Sequence, residues 1–168
     1  MAVVASAKQG LRAAGRATIL QLRAPQLTAR ELEREALELV AGSPVPVLIN
    51  SRCDVALATL AAGVNLPERD ILVSEARKLL GGRLIGRSVH SVEAALIAEG
   101  DGADFVIFGP VWPSSSHPEI DPTGVEALSR VAHALRIPVL AIGGVTEERI
   151  AECHAAGAAG FAAIRLFQ

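Results

Sequence analysis

The sequence predicts an α/β fold of the (β/α)8 TIM-barrel type, lacking the first strand and the last helix. Three observations predict it. Short apolar runs alternate with helical patterns along the whole chain, which is the signature of parallel βαβ units. The runs read as strands buried on both faces. Polar or glycine-rich residues follow nearly every run, so ligand-facing groups ring one rim, as in a barrel; a doubly wound sheet would gather them in one crevice.

The elements follow in order. Ala5 to Arg16 reads as a helix with Leu11 and Ala14 on one face. Ala17 to Leu22 is strand-like. Thr28-Ala-Arg-Glu31 is a capping-box pattern that opens a helix with Leu32, Ala36, Leu39 and Val40 inward. Val45 to Asn50 is the next strand, with a helix from about Asp54 to Ala62 after it. Gly63 to Leu66 is a very short strand, and Val73 to Leu80 is a helix stopped by Gly81-Gly82. Arg83 to Ser88 is a strand, and Ser91 starts a helix ending near Gly100. Phe105 to Phe108 is a strand. Pro110 to Thr123 is a proline- and serine-rich loop without periodicity, and Gly124 to Leu135 is helical. Val139 to Ile142 is a strand that runs into Gly143-Gly144. A helix from Glu147 to Ala156 and a strand from Gly160 to Ile164 complete the chain. Seven strands are one short of a full barrel. The open seam would expose unpaired edges. It calls for Ala2 to Ala5 to fill it in part, for a second chain of a homo-oligomer to cover it, or for a first strand lost upstream.

Bulk composition narrows the function. The 168 residues are 51% hydrophobic, enough for one domain, residues 1–168, with a sizeable core. The net charge of −2 leaves no basic surface for nucleic acid or an anionic membrane. Aromatic content of 3% argues against stacking on bases or sugars. Cys53 and Cys153 share no metal-type spacing and suit small buried residues in a reducing compartment. No apolar run reaches membrane-spanning length, and the N-terminal apolar stretch is too short for a secretory signal. A cytoplasmic protein is expected.

Ligands of a barrel sit at the carboxyl ends of its strands. Those ends carry Gln21 and Arg23; Asn50, Ser51 and Arg52; Asn65, Glu68 and Asp70; Ser88 and His90; Pro110 to His117; Gly143-Gly144; and Arg165. Each alone reads equally well as a loop-facing polar group or a helix cap, as for Ser88 and Ser91. Gly143 and Gly144 leave no side chain between the backbone and a ligand, and free N–H groups at a strand–helix junction suit a phosphate. The bland reading is a tight turn.

In order and spacing, six segments resemble the thiamine phosphate synthase/TenI family. They are Gln21-Leu-Arg23, Leu48-Ile-Asn-Ser-Arg52, Gly63-Val-Asn-Leu66, Ile85-Gly-Arg-Ser-Val-His90, Phe108-Gly-Pro-Val-Trp-Pro113 and Ile137-Pro-Val-Leu-Ala-Ile-Gly-Gly144. The resemblance implies a barrel that handles thiazole phosphate. Synthases of the family join hydroxymethylpyrimidine diphosphate to thiazole phosphate, with Mg²⁺. TenI-type relatives isomerise a thiazole phosphate precursor without metal. A small phosphorylated heterocycle is therefore the expected partner.

Carried over by position, the resemblance assigns Gly143 and Gly144 to the thiazole phosphate. It places Arg165 where a small residue is usual; a guanidinium there could grip phosphate. Gln21, Arg23, Asn50, Ser88, Ser114 and Ser116 fall at substrate-binding positions, and Asp70 at a metal carboxylate. The diphosphate side departs from the pattern. Pro25 and His117 stand where synthases carry lysines, Ser51 replaces a metal carboxylate, Asn65 a histidine and Glu68 a glutamine. At about 1.5–3 kcal/mol for each charged hydrogen bond, two lost lysines weaken diphosphate binding roughly several hundredfold or more. TenI-type tautomerases carry a histidine after Phe-Gly, which here is Pro110. His90 and His117 remain for acid–base work.

Overall fold

Eight parallel strands succeed one another in chain order in the computed structural model, which describes residues 1–114 and 121–168. They are β1 (Ala2–Val4), β2 (Leu20–Leu22), β3 (Val47–Asn50), β4 (Gly63–Leu66), β5 (Leu84–Val89), β6 (Phe105–Phe108), β7 (Val139–Ile142) and β8 (Gly160–Ala162). The helices between them are α1 (Ala7–Ala13), α2 (Ala29–Gly42), α3 (Cys53–Ala58), α4 (Val73–Leu80), α5 (Val92–Gly100), α6 (Val125–Ala134) and α7 (Ile150–Ala155). Single 3₁₀ turns, Glu147–Arg149 and Arg165–Phe167, precede α7 and follow β8.

The expectation of a missing first strand is corrected. Ala2–Val4 pairs in register with Leu20–Leu22 and so supplies that strand. A bridge from Ala2 to Ala163 joins it to the last strand. Val3 N–H donates to the Ala163 carbonyl at 2.9 Å, Ala163 N–H to Met1 at 3.1 Å, and the Met1 amino group to Phe161 at 2.7 Å. Three residues running straight into a helix are too few to show strand periodicity, and the seam forms only because β2 and β8 flank them. The ground for a second chain across the gap disappears with it. After β8 the described residues continue as the 3₁₀ turn, where Phe167 stacks on Phe161 with ring centroids 6.2 Å apart.

Alternation along the strands sorts the residues into two cores. Val3, Leu48, Phe105, Ile107 and Ala162 fill the barrel, with Ile19, Leu84, Leu140 and Ile142 against them. Val64, Leu66, Ile85, Val106 and Phe108 face outward, in the layer beneath the helices that holds Leu39, Val73 and Leu128. The capping box of α2 forms as expected. Thr28 Oγ1 accepts from Glu31 N–H at 3.3 Å, and the Glu31 carboxylate accepts from Thr28 N–H at 2.8 Å.

Candidate functional site

At the carboxyl end of β2 to β5 the barrel interior turns polar but carries no charge. Gln21 on β2 is buried, and its Nε2 donates to Asn50 Oδ1 at 2.9 Å. Asn50 Nδ2 donates to Ser51 Oγ at 3.2 Å. Asn65, opposite Asn50 in the register, donates through Nδ2 to Ser88 Oγ on β5 at 3.0 Å. Asn65 Oδ1 is buried with no partner among the described residues. The period of two brings these side chains together, because each stands on the inward face of its own strand.

Above this floor lies an acidic rim. The loop after β4 presents Glu68 and Asp70. Arg87, on the outward face of β5 and 8% exposed, holds that loop by its main chain. Its guanidinium donates to the carbonyls of Ile71 and Glu68 at 2.7 Å each and of Asp70 at 3.4 Å. Burial pushes the pKa of Arg87 down, while the Asp70 and Glu68 carboxylates push it back up. His90, just past β5, stands between two oxygen acceptors. Nδ1 lies against the Gly109 carbonyl and Nε2 is 3.5 Å from Glu68 Oε2. Asp70 Oδ1 accepts from Ile71 N–H at 2.8 Å.

The cations around this rim are largely committed. Arg52 binds Asp54 through Nε at 2.8 Å and Nη2 at 2.5 Å, a two-pronged pairing. Those bonds hold the Asp54 carboxyl below its ordinary range. Arg23 stays exposed just beyond β2, its main chain tied to the Val4 carbonyl at 2.8 Å. Ser51 takes the left-handed backbone conformation, φ 66°, which serine adopts reluctantly and aspartate or asparagine more readily.

Across the barrel, β7 runs into Gly143 (φ 91°) and Gly144 (φ 65°). A Cβ on Gly143 would lie 2.5 Å from Pro110 Cβ, and one on Gly144 would lie 2.6 Å from the Pro113 carbonyl oxygen. Both positive φ and close packing therefore demand glycine. The turn's carbonyls are taken up. Val111 N–H donates to Ile142 at 2.8 Å, Trp112 N–H to Gly143 at 3.1 Å, and Arg149 Nη1 to Gly144 at 2.6 Å. The N–H groups of Gly143 and Gly144 meet no acceptor among the described residues. Arg165 opens the 3₁₀ turn after β8 and is exposed.

The structure thus brings Gln21, Asn50 and Ser88 together at one side of the rim, with His90 and Asp70 above, and sets Gly143-Gly144 on the other side. Ser114 lies in the loop after β6; Ser116 and His117 lie outside the described residues. Three contributors escaped sequence reading. Arg87 had a signal, a charge inside an otherwise apolar strand. The Arg52–Asp54 pair had only its close spacing. Arg149 had none, because its bond to the nearby Gly144 carbonyl and its stacking on the distant Trp112 form only once the loops meet.

Mg²⁺ takes one or two carboxylates together with substrate phosphate oxygens. Among the described residues no cluster of three or more acidic, histidine or cysteine side chains is suited to a metal. The loop after β4 presents the carboxylates of Glu68 and Asp70, and Ser51 brings only a hydroxyl, so the described residues alone do not make a complete metal site.

A parallel eight-stranded barrel with a neutral polar floor, an acidic rim and an opposed glycine turn defines a (β/α)8-type protein whose polar groups gather at the carboxyl ends of its strands. The model of the thiamine monophosphate synthase family matches residues 2–167. A putative thiamine-phosphate synthase 2 of Aquifex aeolicus is 41% identical over 152 residues, covering 89% of this chain and 82% of that one. The thiamine-phosphate synthase of Chlorobium luteolum is 45% identical over 157 residues, covering 89% of this chain and 73% of the other. The solved thiamine phosphate pyrophosphorylase from Pyrococcus furiosus superposes with a TM-score of 0.87 at 30% identity, covering 97% of this chain and 83% of that one. The chain belongs to the thiamine monophosphate synthase/TenI family. No helix among the described residues is long and apolar enough to cross a membrane.

Proposed function

We propose that this protein is a cytoplasmic thiamine phosphate synthase-type transferase, joining hydroxymethylpyrimidine diphosphate to thiazole phosphate with release of diphosphate. The observation that carries the reading is the Gly143-Gly144 turn, whose N–H groups meet no acceptor among the described residues, at the position where the resemblance puts a phosphate. On this reading, Gln21, Asn50 and Ser88 shape the pocket for the uncharged pyrimidine. Arg23 steadies the diphosphate, and Asp70 would be the residue to hold Mg²⁺, which would supply neutralisation of that group's charge. Gly143-Gly144 and Arg165 seat the thiazole phosphate.

A second reading has support of its own. Ser51 in place of a carboxylate and Arg52 committed to Asp54 favour a family member that binds thiazole or thiamine phosphate without turnover. A tautomerase, which needs no metal, would have to use His90, whose ring nitrogens both already face oxygen atoms, or His117.

Turnover with both substrates and Mg²⁺ separates these. Thiamine phosphate that forms and disappears in Asp70→Ala supports the synthase. Tight thiamine phosphate binding without product supports the binding protein. A thermal-shift screen with thiazole phosphate, thiamine phosphate and diphosphate, each with and without Mg²⁺, gives the first answer. A ligand at a hundred times its dissociation constant adds about 2.7 kcal/mol.

A further inference from the structure

We infer that Arg149 is the positioning residue of the phosphate seat, and that Trp112, on which it stacks, reports whether the seat is filled. This rests on the reading that Gly143-Gly144 binds a phosphate.

In a trans peptide the N–H points opposite to the C=O of the same plane, so fixing a carbonyl fixes the direction of the next residue's N–H. Three successive carbonyls are fixed here. Val111 N–H holds that of Ile142, Trp112 N–H holds that of Gly143, and Arg149 holds that of Gly144. The N–H groups directed by these carbonyls belong to Gly143, Gly144 and Val145. Two of the three anchors are main-chain groups of the loop after β6 and survive any side-chain change. The third is the Arg149 guanidinium.

Glycine has the widest backbone freedom of any residue. With its carbonyl released, Gly144 could rotate, swinging its own oxygen toward a bound phosphate and the Val145 N–H away. Arg149 is itself fixed from the other side: its guanidinium carbon sits 5.2 Å from the centre of the Trp112 ring, within cation–π range. Trp112 in turn backs the turn, because a Cβ on Gly144 would come within 2.7 Å of Trp112 Cβ. Trp112, Gly144 and Arg149 therefore form one clasp, and a phosphate settling on the N–H groups would tighten it. Trp112 is the chain's single tryptophan, so its fluorescence comes from the clasp alone.

The test is titration of thiazole phosphate into the wild-type protein and into Arg149→Met and Arg149→Lys, followed by calorimetry and by tryptophan emission. Wild type is expected to bind with a change in emission. Arg149→Met should bind about tenfold more weakly, the effect of losing one hydrogen bond from a charged group. Arg149→Lys keeps the charge but not the planar stacking, and should stay more than about threefold weaker than wild type. A role in folding alone would lower the melting temperature and leave affinity and emission change intact. If Arg149→Met does not fold, Arg149→Lys decides on the same threefold criterion. Wild-type binding with either folded variant inside its margin overturns the role of Arg149 and leaves the phosphate reading standing. Absence of binding and of any emission change in the wild type overturns both.

Discussion

Arg52 grips both carboxylate oxygens of Asp54, two residues further on, at 2.8 and 2.5 Å. The arginine of the Asn50-Ser-Arg52 segment is thereby turned onto the first turn of α3. Replacing Asp54 with alanine frees it. Diphosphate is then expected to bind about three- to tenfold more tightly, since a charged hydrogen bond to phosphate becomes available. Calorimetry of diphosphate against wild type and Asp54→Ala checks this. The variant loses some of the favourable placement of an acid at a helix start, about 0.3–1 kcal/mol.

Ser51 stands beside that arginine with φ 66°. Aspartate tolerates this backbone better than serine, so Ser51→Asp should fold without penalty and supply a second carboxylate near Asp70. Two carboxylates hold Mg²⁺ better than one. Diphosphate binding or turnover in Ser51→Asp is expected to depend more strongly on Mg²⁺ than in wild type, and a Mg²⁺ titration at fixed diphosphate measures it. An unchanged dependence would place the two side chains too far apart to share an ion.

Inside the barrel, Gly86 on β5 makes room for the ring of Phe105 on β6. A Cβ at position 86 would lie 2.2 Å from Phe105 Cζ and 2.8 Å from Asn65 Oδ1. Gly86→Ala is expected to cost about 1–3 kcal/mol by overpacking. In a Phe105→Leu background it should cost distinctly less, a coupling that chemical denaturation of the four-member cycle would resolve.

The capping box of α2 gives a pH-dependent prediction. The Thr28 hydroxyl and then the Thr28 N–H hold the Glu31 carboxyl below its ordinary value. A carboxyl with a lowered folded-state pKa contributes its stability above the unfolded value and loses it as pH falls through the folded one. Thr28→Ala should cost about 1 kcal/mol at neutral pH. Its difference from wild type should shrink in urea melts run below the usual glutamate range.

The barrel itself was legible in the sequence because strand and helix periodicity are local. Four-residue runs such as Phe105–Phe108 and the Gly143-Gly144 pair announce themselves within a single turn of chain. Gln21, Asn50 and Ser88 were legible only as polar residues near strand ends; their meeting with Asn65 in one neutral floor came from the strand register. The sequence offered Ala2 to Ala5 as one way to fill the seam, and the tertiary structure decided for it, because Ala2–Val4 pairs with β2 and bridges to Ala163 after β8. The tertiary structure alone decided which cations are committed within the protein. Arg87 is taken up by the loop carrying Glu68 and Asp70, and Arg149 by Gly144 and Trp112. A charge's availability depends on which loops meet it in space, and side chains of arginine reach far enough for chain neighbours to say little about that.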